Sequence, residues 1–373
     1  MSTRIFALVP YPIFPAQMGG QKGIALFYKY LHKVLPLAML STKANGASDA
    51  EYPVYPLIHN GASRYIDPRV FFLLKKQAKQ HQATHLLFEH PYYAWLIVLC
   101  RLFTNYKLIV HAHNIEATRF KSMGKPWWFI LWLYEAIAFR AAHQVWFKTQ
   151  TDADYAITHV GLPKHRAHLI PYGIEVNQLP AENEIQAAKN EIQSTFQLPK
   201  EACVLFFNGT LNYGPNLDAL NHILNHILPR LQAAHFNYAF IVCGKHLPDS
   251  LNSLKAYEKQ HVYYAGFVPD IDVYFKACDV FLNPLIDGGG IKTKLVEALG
   301  FGKSAVSTMN GAIGVDPACT EGRLRIVPDA DWDGFAKAIV DAAQSKINNS
   351  NMAFYESFYW GHIAEHAKAY CAE

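Results

Sequence analysis

The chain has 373 residues, 51% of them hydrophobic, 14% aromatic and 17% charged, with a net charge of +4. That length exceeds what one hydrophobic core usually serves, so two domains are expected, and the composition excludes a disordered or fibrous chain. No apolar run reaches the ~18 residues of a membrane span, and the six cysteines are scattered with no CxxC pair, which excludes a disulfide scaffold.

The N-terminal "MSTRIFALVPYP" sets one charge before a short apolar run that stops at proline. That pattern reads as a first strand and not as a signal peptide, so a reduced, cytoplasmic setting is expected. The chain then alternates "IFALV", a helix near Ile24 to Val34, "LAML" and a helix near Pro68 to Gln80. The apolar runs "HLLFE", "AWLIVLCRLF" and "KLIVHAH" follow, then a long helix near Pro126 to Ala142, "QVWFKT", a short helix at Thr151 to Val160 and "AHLIPYGI". Apolar strands separated by helices predict a parallel sheet covered on both faces. The polar stretch Pro180 to Ala202, with one helical segment, breaks this rhythm. The rhythm restarts with "CVLFFNGT", a helix from Asn216, "YAFIVCG", a short helix Ser250 to Gln260, "VYYAGF", "IDVYFKA", "VFLNP", a helix Lys292 to Leu299, "SAVST", "LRIV" and a helix Trp332 to Ala343. Two α/β domains in series are therefore expected, 1–178 and 179–350, with a tail at 351–373 whose aromatics recur at helical spacing. Ligands of such sheets bind at the carboxyl ends of the strands, so a cleft between two such ends is expected.

Charge divides unevenly: residues 1–180 carry 19 Lys and Arg against 9 Asp and Glu, and residues 181–373 carry 15 against 21. A basic first half suits an anionic lipid surface or a phosphorylated acceptor. Trp127, Trp128 and Trp132 beside Lys121, Lys125 and Arg140 are consistent with a membrane interface, buried aromatics being the alternative. Nucleic acid is not an expected partner.

The stretch "DGGGIKTKLVEALG", Asp287 to Gly300, places a strand, a glycine loop and a helix start in succession. The N–H groups of Gly289, Gly290, Ile291 and Lys292, with the helix dipole, would make a phosphate cradle. Glu297, about one turn on, is placed to accept from a ribose diol, although Lys294 and Glu297 also read as an ordinary i,i+3 surface pair. Gly19 and Gly20, between the first strand and first helix, suit a backbone that approaches a ligand or a plain turn. His111 and His113 close a hydrophobic strand, where a sugar or acceptor contact competes with a structural role; a third ligand for zinc is not evident. Gly209 and Thr210, Gly244 and Lys245, and Gly266 with Phe267 and Val268 repeat the pattern of glycine at a strand end, the last pair offering a surface for a flat base. The acidic patterns "DAD", "DID" and "DADWD" read as helix starts and turns, and no metal is expected.

"HNIE", "FNGTLNYGPNLDAL", "AGFVPDIDVYFKACDVFLNPLIDGGGIKTKLVEALGFGKSAVST" and "YWGHI" resemble the retaining GT-B glycosyltransferases of family 4, most closely over residues 203–308. The resemblance implies two Rossmann-like domains facing each other across a cleft, a nucleotide-sugar donor on the C-terminal one, an acceptor on the N-terminal one, and a C-terminal helix crossing back to the latter. It implies a metal-independent hexosyltransferase using a UDP or GDP sugar and no cofactor, on a sugar, glycan or lipid-linked acceptor in polysaccharide or glycolipid synthesis, cytoplasmic or on the inner face of the membrane. Glu297 matches the second glutamate of the family's paired motif. The first would fall at Gly289, with Asp287 out of register, and a basic residue common after the Gly209 loop is replaced near Asn216. Lys294, Lys292 or Lys245 would supply the missing charge. His113 resembles a histidine that contacts the transferred sugar, and Gly19 with Gly20 a donor-side loop. Lys294 and His113 are the expected catalytic groups. A non-catalytic nucleotide-sugar-binding subunit, and an epimerase or phosphorylase of the same shape, are the competing readings.

Overall fold

The computed structural model describes residues 2–16, 18–46, 50–345 and 350–373. The chain divides into two compact units, Met1–Glu175 with Trp360–Glu373, and Val176–Tyr359.

The first unit holds a seven-stranded sheet built from β1 (Ile5–Leu8), β2 (Leu37–Thr42), β3 (Val54–Ile58), β4 (His85–Glu89), β5 (Lys107–Ala112), β6 (Gln144–Phe147) and β7 (Ala167–Leu169), in the order β3-β2-β1-β4-β5-β6-β7. All its pairings are parallel. Helices cover both faces of a parallel sheet, so its central strands are buried throughout and read as continuous apolar runs. Phe6, Leu86, Leu108, Val110 and Val145 share one core with Ala138 and Phe139 of the helix Trp128–Ala141. Each such side chain contributes about 1.5–3 kcal/mol on leaving water.

Local chemistry explains where this unit departs from the reading above. β3 is an edge strand, the position at which Pro56 removes no needed donor, and its weak alternation hides it in the sequence. "AWLIVLCRLF" is a helix, Ala94–Phe103. The first helix begins at Gly19 and not near Ile24, so Gly19 and Gly20 form its opening turn, where backbone N–H groups have no partner within the helix. The Gln21 side chain accepts from the Met18 N–H at 3.1 Å and holds that start.

The second unit repeats the plan with β8 (Cys203–Asn208), β9 (Tyr238–Cys243), β10 (Val262–Gly266), β11 (Val280–Asn283), β12 (Ser304–Thr308) and β13 (Leu324–Val327), ordered β10-β9-β8-β11-β12-β13 and parallel. Both orders are Rossmann-like, reversing direction beside β1 and β8, which fixes where a ligand crevice opens. Ser250–Gln260 is not one helix: tight 3₁₀ turns are interrupted by left-handed Asn252, Ser253 and Leu254, with φ of 42°, 52° and 61°.

The tail forms two helices. Met352–Phe358 lies in the second unit, where Asn351 Nδ2 and Tyr355 Oη donate to the Leu299 and Gly300 carbonyls at 2.9 and 2.8 Å, satisfying the end of the helix Thr293–Gly300. Trp360–Ala372 lies in the first unit, against Gly173, whose backbone approaches so closely that a Cβ there would stand 2.6 Å from the Trp360 ring.

Candidate functional site

In the second unit the carboxyl ends of β8, β9, β10 and β11 carry the glycines. The loops after β8, β9 and β10 are bonded to one another: Gly209 N–H donates to the Cys243 carbonyl at 3.1 Å, Leu211 N–H to Lys245 at 2.9 Å and Gly244 N–H to Gly266 at 2.8 Å. Gly244 has φ 154°, and any Cβ there would strike the Gly209 carbonyl, so only glycine allows these loops to close together. Lys245 places its ammonium 3.9 Å from the centre of the Phe267 ring, which is 65% exposed. The stacked pair presents one positive charge and one flat apolar face at adjacent strand ends.

The glycine loop after β11 stands on a buried polar base. Asn283 Nδ2 donates to Ser307 Oγ at 2.8 Å and to the Gly311 carbonyl at 2.9 Å, which fixes the strand end from which the loop departs. Gly288 and Gly290 take φ of 91° and 70°. Lys292 caps the following helix and folds back, donating to the carbonyls of Gly288, Gly289 and Gly290 at 2.6, 3.4 and 3.0 Å. In a trans peptide the C=O and the next N–H point oppositely, so the N–H groups of Gly289, Gly290 and Ile291 face away from that ammonium. Gly288 and Gly289 are exposed. The result is a donor-lined turn at a helix N-terminus beside the sheet's reversal point, suited to an anion.

Lys294 and Glu297 form the i,i+3 pair at 3.1 Å, with Glu297 largely buried. Asn216, where the family resemblance implies a basic residue, donates to the Thr210 carbonyl at 3.0 Å and lies over Gly209, so it serves as a strap for the loop.

In the first unit a second cluster closes the ends of β1, β4, β5 and β6. Glu89 is wholly buried and accepts from His111 Nδ1 at 3.0 Å and from His113 Nε2 at 2.7 Å. Burial pushes the His111 imidazole down to about 3 and lowers His113 too, so both rings are neutral donors near neutral pH. Burial opposes ionisation of Glu89, yet the two histidines hold its carboxyl well below the usual range. With His113 Nε2 committed to Glu89, its Nδ1 is left as an acceptor. His90 takes φ 62°, sets its ring 4.3 Å from that of His113 at a tilt of 34° and bonds Tyr11 Oη at 2.8 Å.

Lys148, the first residue after β6, is also buried, over the Phe27 and Trp360 rings at 5.6 and 5.8 Å, and burial drops its ammonium to about 8. Its Nζ, His111 Nε2 and His90 Nδ1 have no hydrogen-bond partner among the described residues. Glu89, His111 and His113 bring ligand atoms within 4.8 Å of one another, close enough to hold a metal. Glu89 is therefore the third ligand-bearing group that was not evident in the sequence; in this arrangement the three hydrogen-bond one another, and Lys148 beside Glu89 raises the electrostatic cost of a further cation.

The sequence thus identified His111 and His113 but missed Glu89, His90 and Lys148. The signal was present: each is a polar residue at or just past the carboxyl end of an apolar run, in "HLLFEH" and "QVWFK", as the histidines are in "LIVHAH". Gly19 and Gly20 lie at the opening of the helix that follows β1, and a Cβ on Gly20 would meet open space. Of the proposed donor residues, Gly209, Thr210, Gly244, Lys245, Phe267 and Val268 fall on the linked loops, and Gly289 to Lys292 with Glu297 on the neighbouring loop and helix.

A family model described as "Glycosyltransferase Family 4" matches residues 32–178, and one described as "Glycosyl transferases group 1" matches residues 202–345. No curated protein sequence matches. Among solved structures, the chain is similar to HepE of Anabaena in complex with UDP, with TM-score 0.75, 15% identity and coverage of 99% of this chain and 100% of that one. It is also similar to sucrose-phosphate synthase from Thermosynechococcus elongatus, with TM-score 0.72, 15% identity and coverage of 98% and 97%. The catalytic domain of starch synthase IV from Arabidopsis thaliana, bound to ADP and acarbose, follows with TM-score 0.69, 12% identity and coverage of 100% and 99%. With a glycosyltransferase domain matched in each half and two parallel Rossmann-like sheets, the chain belongs to the GT-B glycosyltransferases of the family 4 and group 1 type.

Proposed function

We propose that this glycosyltransferase moves a sugar, with retention of its anomeric configuration, from a UDP or GDP sugar to a hydroxyl of a sugar, glycan or lipid-linked acceptor in surface glycan or glycolipid synthesis. The observation that carries the reading is the turn Gly288–Ile291 at a helix start, whose carbonyls bind Lys292, which by peptide geometry turns its N–H groups the other way. A diphosphate is the anion such a turn suits, with Phe267 offered to the base and Glu297 to the ribose. Structures of similar fold hold UDP, UDP-glucose or ADP, which supports the class of donor.

Breaking the anomeric C–O bond moves an electron pair onto the leaving diphosphate. Donors fixed before that charge develops bind it more tightly as it forms and so lower the barrier. Lys294, at the first turn of the helix, adds its charge to the N–H groups and acts as the electrostatic catalyst. His113, its Nε2 held by Glu89, offers Nδ1 to a sugar hydroxyl. Neither role requires a metal, and the reaction is placed on the cytoplasmic face of the cell membrane, where a lipid-linked acceptor would lie.

The test is release of nucleoside diphosphate from UDP, GDP and ADP sugars with a panel of glycan and lipid-linked acceptors, with product anomers read by NMR. Acceptor-dependent release with an anomer matching the donor supports the reading; an inverted anomer refutes retention. Donor binding without turnover across the panel would favour a nucleotide-sugar-binding subunit, a reading favoured by Gly289 standing where the family has its first glutamate.

A further inference from the structure

Within the first unit, the helix Trp128–Ala141 is apolar nearly all round, a composition expected of a helix enclosed by protein. It is not enclosed. Phe129, Ile130, Leu133 and Ile137 are 56%, 58%, 57% and 43% exposed, and the spacing of 130, 133 and 137 puts them along one side. Leu102 and Phe103, at the end of the packed helix Ala94–Phe103, and Met123 and Trp127, in the turn that precedes Trp128–Ala141, are exposed as well.

Within residues 94–143 the exposed charges are of one sign. Residues 94–143 contain Arg101, Lys107, Arg119, Lys121, Lys125 and Arg140, all exposed. Their two acids, Glu116 and Glu135, are 2% and 1% exposed and turned to internal work. Glu116 takes Arg119 at 3.0 Å, and Glu135 accepts the Glu116 and Ala117 N–H groups at 2.8 Å each. Lys121 stands 4.6 Å from the Trp128 ring centre, a cation over an aromatic at the edge of the strip.

We infer that this face docks on an anionic lipid bilayer, with Phe129, Ile130, Leu133 and Ile137 dipping into the boundary between headgroups and acyl chains and the basic residues meeting the lipid phosphates. An apolar strip with a cationic rim and interfacial tryptophan is what such a surface binds. A second copy of the chain fits less well, because two-fold pairing sets the same basic rim against itself. No helix among the described residues is long and apolar enough to cross a membrane, so the contact lies in the interface plane. The inference deepens the membrane-side acceptor of the proposed function and rests on that reading for its purpose.

The test is flotation of the full chain with vesicles of phosphatidylcholine alone and of equimolar phosphatidylcholine and phosphatidylglycerol, at rising salt. The chain should float with the anionic vesicles and be released by salt. Leu133→Ser with Ile137→Ser, and separately Lys121→Glu with Lys125→Glu, should each lower partitioning roughly tenfold or more. Nucleoside diphosphate release with a soluble acceptor, unchanged in both pairs, shows that they fold. Failure of the parent chain to float, equal flotation of parent and variants, or an oligomer that only the variants lose would overturn the inference. Loss of flotation with catalysis intact removes the docking face alone. Flotation without any transferase activity leaves the face standing and removes the proposed function.

Discussion

Replacing Lys148 with methionine should make the protein more stable while impairing it. The two side chains are alike in length, and a thioether packs well against the Phe27 and Trp360 rings that now face an ammonium. Burial lowers that ammonium from 10.5 to about 8, and the Glu89 charge offsets only part of the effect. The difference corresponds to about 3 kcal/mol at any pH below about 8. The unfolded chain binds the Lys148 proton below about 10.5, whereas the folded chain binds it only below about 8. Between these values the unfolded state carries more protons, so wild-type stability rises with pH across the window, and the full penalty applies beneath it. Lys148→Met removes the titration. Urea unfolding should show the variant more stable by about 3 kcal/mol at neutral pH, with the gap narrowing by that amount as pH approaches about 10. Transferase turnover should fall, the pattern of a costly charge kept for function. A gap that does not change with pH, or a variant less stable than wild type at neutral pH, would refute the argument that a charge only partly offset by Glu89 is buried there.

Lys294→Ala should lower nucleoside diphosphate release at least tenfold at saturating donor, measured by steady-state kinetics, because a charge beside the leaving group acts chiefly in the transition state. Gly244→Ala should destabilise the second unit by roughly 1–3 kcal/mol in urea melts and weaken donor binding by calorimetry, since its Cβ would displace the Gly209 carbonyl. Glu135→Ala strips the acceptor from two buried N–H groups at the start of the helix Glu116–Ser122 and should cost about 1–2 kcal/mol, while Glu135→Gln, which keeps an acceptor oxygen, should cost less.

The sequence by itself determined the local layout of both units. Apolar runs such as "IFALV" and "CVLFFN" must be strands buried on both faces, and three glycines ahead of an amphipathic segment must be a turn that presents backbone. These are consequences of side-chain periodicity and of glycine's freedom in φ, and both act over a few residues. Only the tertiary structure decided the partners. Glu89 meets His111 and His113 from 22 and 24 residues away because β4 and β5 are neighbours in the sheet, and Trp360 comes beneath Lys148 because the last helix packs into the first unit. Sheet order and helix docking depend on the whole core, so no local pattern marks a glutamate as the anchor of two histidines or a lysine as buried. Lys292 makes the same point at short range: spacing placed it beside the glycine loop, but the fold-back that aims its ammonium at the loop's own carbonyls depends on the φ values of Gly288 and Gly290. For Trp128–Ala141 the sequence left burial and a membrane interface as alternatives, since an apolar helix reads the same whether protein covers it or not, and only the structure shows which of its side chains are exposed.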